Sequence, residues 1–197
     1  MSAEKVYLRP ITATDTEKVV TWRNQDFVRK NFIYQKFFTE EGHRAWLKNQ
    51  VEAGHVAQFI ICVEGLGEIG SVYLRDIDRE KGTAEYGAFI GEEKALGCGY
   101  GTQAARLVLD YGFGILGLEY IFLRYLEKNT GAGRSYEKAG FRRIENKREI
   151  VNLEQGTCGV VFMEVDRNAW EASSSLNNSP QYVIRECVDE RDADGRE

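Results

Sequence analysis

Gly97-Cys98-Gly99-Tyr100-Gly101-Thr102 sets glycine at alternate positions directly before a segment of helical periodicity. Such a loop curls so that successive N–H groups converge, and the missing side chains let backbone approach phosphate oxygens at the positive end of a helix. The chemistry implied is pyrophosphate binding; a glycine-rich turn without a ligand is the plainer alternative. No Gly-Lys-Ser/Thr follows, which excludes the Walker pattern. A second run, Gly65-Leu66-Gly67-Glu68-Ile69-Gly70, matches G-x-G-x-x-G as a string but leads into Ser71-Val72-Tyr73-Leu74, another strand. A hairpin has no helix N-terminus to offer a pyrophosphate, so this run is read as a β-turn.

Glu85 lies within Thr83-Ala84-Glu85-Tyr86-Gly87-Ala88-Phe89 and shares a strand face with Gly87 and Phe89, where a solvated or ion-paired glutamate is the plain reading. Tyr136 shares a helix face with Ala132, Ser135 and Ala139, where a packing tyrosine is the plain reading. Cys62, Cys98, Cys158 and Cys187 are scattered without C-x-x-C, and His43 and His55 read as a solvated helix face and a strand entry, so no metal and no disulfide framework are expected.

Downstream of the glycine loop, Asn129-Thr130-Gly131-Ala132-Gly133-Arg134-Ser135-Tyr136-Glu137-Lys138-Ala139-Gly140-Phe141 supplies a second block. Together the two motifs resemble the GNAT superfamily of acetyl-CoA-dependent N-acetyltransferases, over about residues 6–165. Leu96 stands where that family carries Arg or Gln. The resemblance implies that acetyl-CoA is the co-substrate, held by Leu96, Gly97, Cys98, Gly99, Tyr100, Gly101 and Thr102 at the pyrophosphate. It further implies that the backbone of Phe89 and Ile90 meets the pantetheine arm and the thioester, with Asn129 and Arg134 also on the cofactor. Tyr136 falls at the family's general-acid position, and Glu85 is preferred as the base. Trp22-Arg23-Asn24 followed by Val28-Arg29 is similar to the branch of ribosomal-protein, spermidine and amino-sugar-nucleotide acetyltransferases. That similarity puts Trp22, Arg23 and Asn24 in an acceptor pocket; a helix-terminal packing cluster is the alternative.

The elements that must position these residues read as α+β. Residues 6–9 form a short strand, Thr14 and Glu17 suggest a capping box for a helix through Trp22, and Thr39 caps a second helix that stops near Gly54. Residues 56–63, 69–74 and 83–90 follow as an antiparallel meander. Ala104, Leu107, Val108, Tyr111 and Ile115 mark one face of a helix after the loop. A strand at 119–126, a helix through Ala139 and strands at 141–151 and 157–165 complete the order. With the resemblance, this becomes a single GNAT-like domain over residues 1–170, its mixed twisted sheet of about seven strands flanked by helices and its parallel central strands splayed. Residues 171–197, starting with a Ser/Asn-rich linker at 171–180, read as a polar acidic tail.

The formal net charge of -5 is concentrated in that tail, where 7 acids face 3 bases, leaving 24 acids and 23 bases in the remainder. A nearly neutral body without a basic run argues against nucleic acid and membrane partners. No apolar stretch approaches a membrane span and the start lacks a signal-peptide layout, so a cytoplasmic location is expected. The expected partners are acetyl-CoA and an amine acceptor, with a homodimer left open. The acceptor is read as a small amine, an amino sugar nucleotide or polyamine; a protein N-terminus and a non-catalytic acyl-CoA-binding module are the alternatives.

Overall fold

The computed structural model describes residues 5–176. Strands β1 (Val6–Pro10), β2 (Ala57–Val63), β3 (Gly67–Asp78), β4 (Thr83–Ile90), β5 (Tyr120–Leu126), β6 (Arg142–Arg143), β7 (Glu149–Leu153) and β8 (Gly156–Asp166) form one mixed sheet. Its order is β1-β2-β3-β4-β5-β8-β6, with β7 also on β8. The helices are α1 (Thr16–Asn24), α2 (Asp26–Arg29), α3 (Glu40–Trp46), α4 (Tyr100–Asp110), α5 (Thr130–Ala139) and α6 (Arg167–Leu176).

Alternation along β2 builds both layers. Phe59, Ile61 and Val63 pack with Leu107 and Val108 of α4, whereas Ile60 and Cys62 join Val19 and Trp22 of α1 and Leu47 on the opposite face. Gly65 and Gly67, both at positive φ, turn β2 into β3, as expected for a hairpin.

The β4–β5 junction decides the site. These strands are parallel, joined by a crossover through α4, and they pair only over Thr83–Glu85 and Tyr120–Phe122. From Tyr86 to Ile90, β4 has no ladder partner on its β5 side among the described residues, so the sheet opens there as the resemblance implied.

Local readings shift in four places. The capping arrangement sits at Thr12, whose N–H donates to the Asp15 carboxylate at 2.7 Å, and α1 starts at Thr16 after a 3-10 turn; Asp15, able to reach back to Thr12, outcompetes Thr14 and Glu17. The strand expected at 141–151 is two strands, because Asn146 adopts a left-handed turn (φ 63°) inside a polar run; the sheet therefore has eight strands rather than about seven. His43, read as solvated, is buried with Nδ1 3.1 Å from Thr16 Oγ1. The linker expected from residue 171 is helical through Leu176, since Trp170 stacks on Phe113 with centroids 6.2 Å apart and draws α6 onto the body. The rest of the expected tail lies outside the described residues. No helix among the described residues is long and apolar enough to cross a membrane.

Candidate active site

The glycine loop enters α4 with Gly99 as its N-cap in the left-handed region (φ 84°), and Gly97 is also left-handed (φ 75°). A Cβ at Gly97 or Gly99 would meet nothing within 4 Å, and one at Gly101 would meet only Ser135 Oγ at 3.6 Å. Backbone thus borders open space in front of a helix whose first N–H groups have no intrahelical acceptor. On the facing helix, Arg134 and Lys138 line the same cavity, and Thr102 Oγ1 lies 2.8 Å from Ser135 Oγ, tying α4 to α5. These residues fit a pyrophosphate: converging N–H donors, a positive helix end, nearby cations and no obstructing side chain. Leu96 sits on the cavity rim. Cys98 does not line it; the thiol is exposed, with Sγ 3.6 Å from the Leu96 carbonyl, leaving only its backbone to the loop.

The loop closes one end of a cavity of about 840 Å³ that runs between α5 and the opened edge of β4. Register determines which β4 backbone groups face this gap. Gly70 pairs with Ile90, and Gly91 N–H donates to Ile69 C=O at 2.7 Å, so the Gly70–Ile90 pair is of the non-hydrogen-bonded kind. By alternation, Phe89 turns its amide and carbonyl toward Ser71 in β3, while Ala88 and Ile90 turn theirs toward the gap. The expectation of a paired Phe89–Ile90 backbone contact is therefore corrected: Ile90 presents backbone, and Phe89 presents its ring, edge-on to Trp22 and Phe32.

Tyr136 lines the cavity inside an aromatic cluster, with ring centroids 5.7 Å from Tyr86, 5.6 Å from Tyr125 and 6.1 Å from Phe141. Burial, with smaller contributions from Tyr73 and Tyr125, holds its hydroxyl well above the ordinary phenol range, so it stays protonated as a donor. Asn129 caps α5, its Oδ1 accepting from Ala132 N–H at 3.2 Å, and the residue lines the cavity. Glu85 also lines the cavity, yet both carboxylate oxygens are engaged: Arg75 Nη2 donates at 2.8 Å and Arg124 Nε at 3.2 Å. Each oxygen is thus already ion-paired with an arginine.

A family model for the acetyltransferase (GNAT) domain matches residues 5–142. The chain belongs to the GNAT acetyltransferase family. The probable N-acetyltransferase YjcK of Bacillus subtilis (strain 168) is 31% identical over 166 residues, covering 78% of this chain and 89% of that protein. Spermidine N(1)-acetyltransferase of Escherichia coli (strain K12) is 30% identical over 146 residues, 71% of this chain and 74% of that protein. Among solved structures, spermidine N-acetyltransferase from Vibrio cholerae in complex with CoA and spermine matches with a TM-score of 0.77 at 20% identity, covering 84% of this chain and 98% of that one; the likeness is one of fold. The homologues are N-acetyltransferases, and this GNAT domain is an acyltransferase.

Within the GNAT domain, Trp22, Arg23 and Asn24 do not line the cavity. Trp22 is a core residue whose Nε1 donates to Glu92 at 2.9 Å, and Asn24 makes a two-way bond with the backbone of Phe38 at 2.8 and 2.9 Å. Arg23 is buried with its guanidinium 3.5 Å from the Phe32 ring centroid and 4.4 Å from that of Phe38. Arg23 and Asn24 anchor the irregular segment that follows α2, and this segment lines the cavity through Asn31, Phe32, Ile33 and Tyr34. Reading the sequence also missed Tyr73, Arg75 and Arg124. The available signal was an arginine interrupting an apolar strand, as in Leu123-Arg124-Tyr125.

Proposed function

We propose that this GNAT domain transfers the acetyl group of acetyl-CoA to the primary amine of a small acceptor by direct attack. The single observation that carries the reading is the convergence on one cavity of the α4 phosphate cradle, the unpaired edge of β4 and the Tyr136 hydroxyl. In this reading the backbone from Gly97 to Thr102, with Arg134, holds the pyrophosphate. The gap-facing backbone of Ile90 and the carboxamide of Asn129 hold the pantetheine arm, and the Ile90 N–H polarises the thioester carbonyl. Acetyl-CoA supplies the activated acyl group. The amine nitrogen bonds to the carbonyl carbon as the carbon–sulfur bond breaks; the sulfur keeps the bonding electron pair and takes the Tyr136 proton. The amine gives up its proton to water in the open cavity, and water returns a proton to the Tyr136 oxygen; Glu85 is not used, both its oxygens being ion-paired with arginines.

CoA release from acetyl-CoA, followed with a thiol reagent against a panel of primary amines and checked by mass detection of the product, tests this reading. Amine-dependent CoA release with an acetylated product is expected. CoA binding without turnover on any amine would identify an acyl-CoA-binding module instead.

A further inference from the structure

The geometry points to an acceptor that carries an anionic group, a carboxylate or a phosphate, beside its reactive amine, in a chamber that disfavours polyamines. This rests on the N-acetyltransfer reading and specifies the class of its acceptor. On the acceptor side, the charged residues lining the cavity are Arg75, Glu85 and Arg124. Both Glu85 oxygens are ion-paired, one taking Arg75 Nη2 at 2.8 Å and the other Arg124 Nε at 3.2 Å. Each guanidinium carries five N–H donors, so both retain donors after Glu85 has taken one from each. Asp76, 3.6 Å from Arg75 Nε, and Glu149, 3.9 Å from Arg124 Nη1, are more exposed, and neither lines the cavity.

A third cation stands behind the wall. Arg23 is 5% exposed, its Nη1 is buried without a hydrogen-bond partner, and it rests against Phe32, which lines the chamber. The phenol of Tyr73 is also on the lining, and burial holds it above the ordinary phenol range. A polyamine is cationic at each nitrogen and would need carboxylates here, where the one present is already neutralised. A carboxylate or phosphate instead meets planar guanidinium forks whose geometry matches it. Identity of 30% to a spermidine N(1)-acetyltransferase carries the family and leaves the acceptor to the residues present.

The test uses full-length protein saturated with CoA for calorimetric binding, and acetyl-CoA for turnover. Aminocaproate, hexylamine and hexamethylenediamine share a chain length and differ in charge at the far end; phosphoethanolamine against ethanolamine is the phosphate arm. The anionic member of at least one arm should exceed its uncharged counterpart by about tenfold or more in affinity and kcat/KM, with the diamine weakest, and the stronger arm identifies the anion. In a folded Arg75→Gln or Arg124→Gln variant that ratio should fall toward one; if neither variant folds, the wild-type ratios decide. Preference for the diamine, or equal binding throughout, overturns the inference and leaves acetyl transfer standing. Anion-selective binding with no CoA release on any amine supports the charge preference and overturns the N-acetyltransfer reading.

Discussion

Replacing Asp110 with asparagine should stabilise the protein at neutral pH. Asp110 closes α4 at 8% exposure, and its Oδ2 is buried without a hydrogen-bond partner. Burial pushes its pKa up to about 6, with the nearby Trp170 side chain pulling the other way. A carboxyl group whose folded pKa exceeds its unfolded value favours folding while protonated, so its contribution is full below about pH 4 and is lost as pH rises through about 6. A gap of roughly two units corresponds to about 3 kcal/mol. Asparagine keeps an acceptor for Trp170 but turns an amide toward the unpartnered side, which costs about 1 kcal/mol. The net gain at about pH 7.5 is then about 2 kcal/mol, or about 4–8 °C in Tm for a chain of this size. Near pH 4.5 most of the advantage should vanish. Thermal denaturation of both proteins at the two pH values is the assay, with CoA affinity unchanged because the phosphate loop is ~16 Å away along α4. An equal Tm difference at both pH values, or a destabilised variant at the higher one, would refute the reasoning.

Three further outcomes follow from the site. Tyr136→Phe keeps every ring contact, so stability should stay within about 1 kcal/mol while turnover falls about 10²-fold with CoA affinity retained; parent-like kcat would remove the hydroxyl from the mechanism. Gly101→Ala has room in the free protein, its Cβ 3.6 Å from Ser135 Oγ, whereas Gly101→Asp adds charge beside the expected phosphates; both should fold, and calorimetry should show CoA binding abolished in the aspartate variant. Gly87→Ala would place a Cβ 2.4 Å from the Tyr73 ring, so Tyr73 must swing into the chamber; acceptor KM should rise with CoA affinity unchanged, and an unaltered KM would show that the ring finds another place.

Features set by near neighbours in the chain were legible before the structure. The glycine loop and the α4 periodicity through Val108 depend on residues a few positions apart and appear where their patterns placed them, although Ile115, expected on the same face, lies beyond the end of α4 and is 62% exposed. What depends on register did not. The Arg75–Glu85 pairing follows from the β3–β4 alignment, and the backbone direction at Phe89 flips with a shift of one residue. Trp22, Arg23 and Asn24 have types that suit a pocket, but the packing of α1 turns Trp22 and Arg23 inward. The wall after α2 follows neither a helical nor a strand period, so nothing in its pattern marked Phe32 or Tyr34 as lining residues.

The way that wall is mounted bears on how this scaffold acquires new acceptors. The half of the cavity proposed to take phosphate is made from the sheet, α4 and α5, so altering it disturbs the core. The acceptor wall is an irregular span fastened from outside: Asn24 grips Phe38, Arg23 lies against Phe32, and Arg29 donates to Glu154 at 2.8 Å in the turn between β7 and β8. Residues between those fastenings can be exchanged while the ladder and the glycine loop keep their places. Acceptor choice can therefore drift by replacement of one short surface segment, under a constant demand for the same acyl donor.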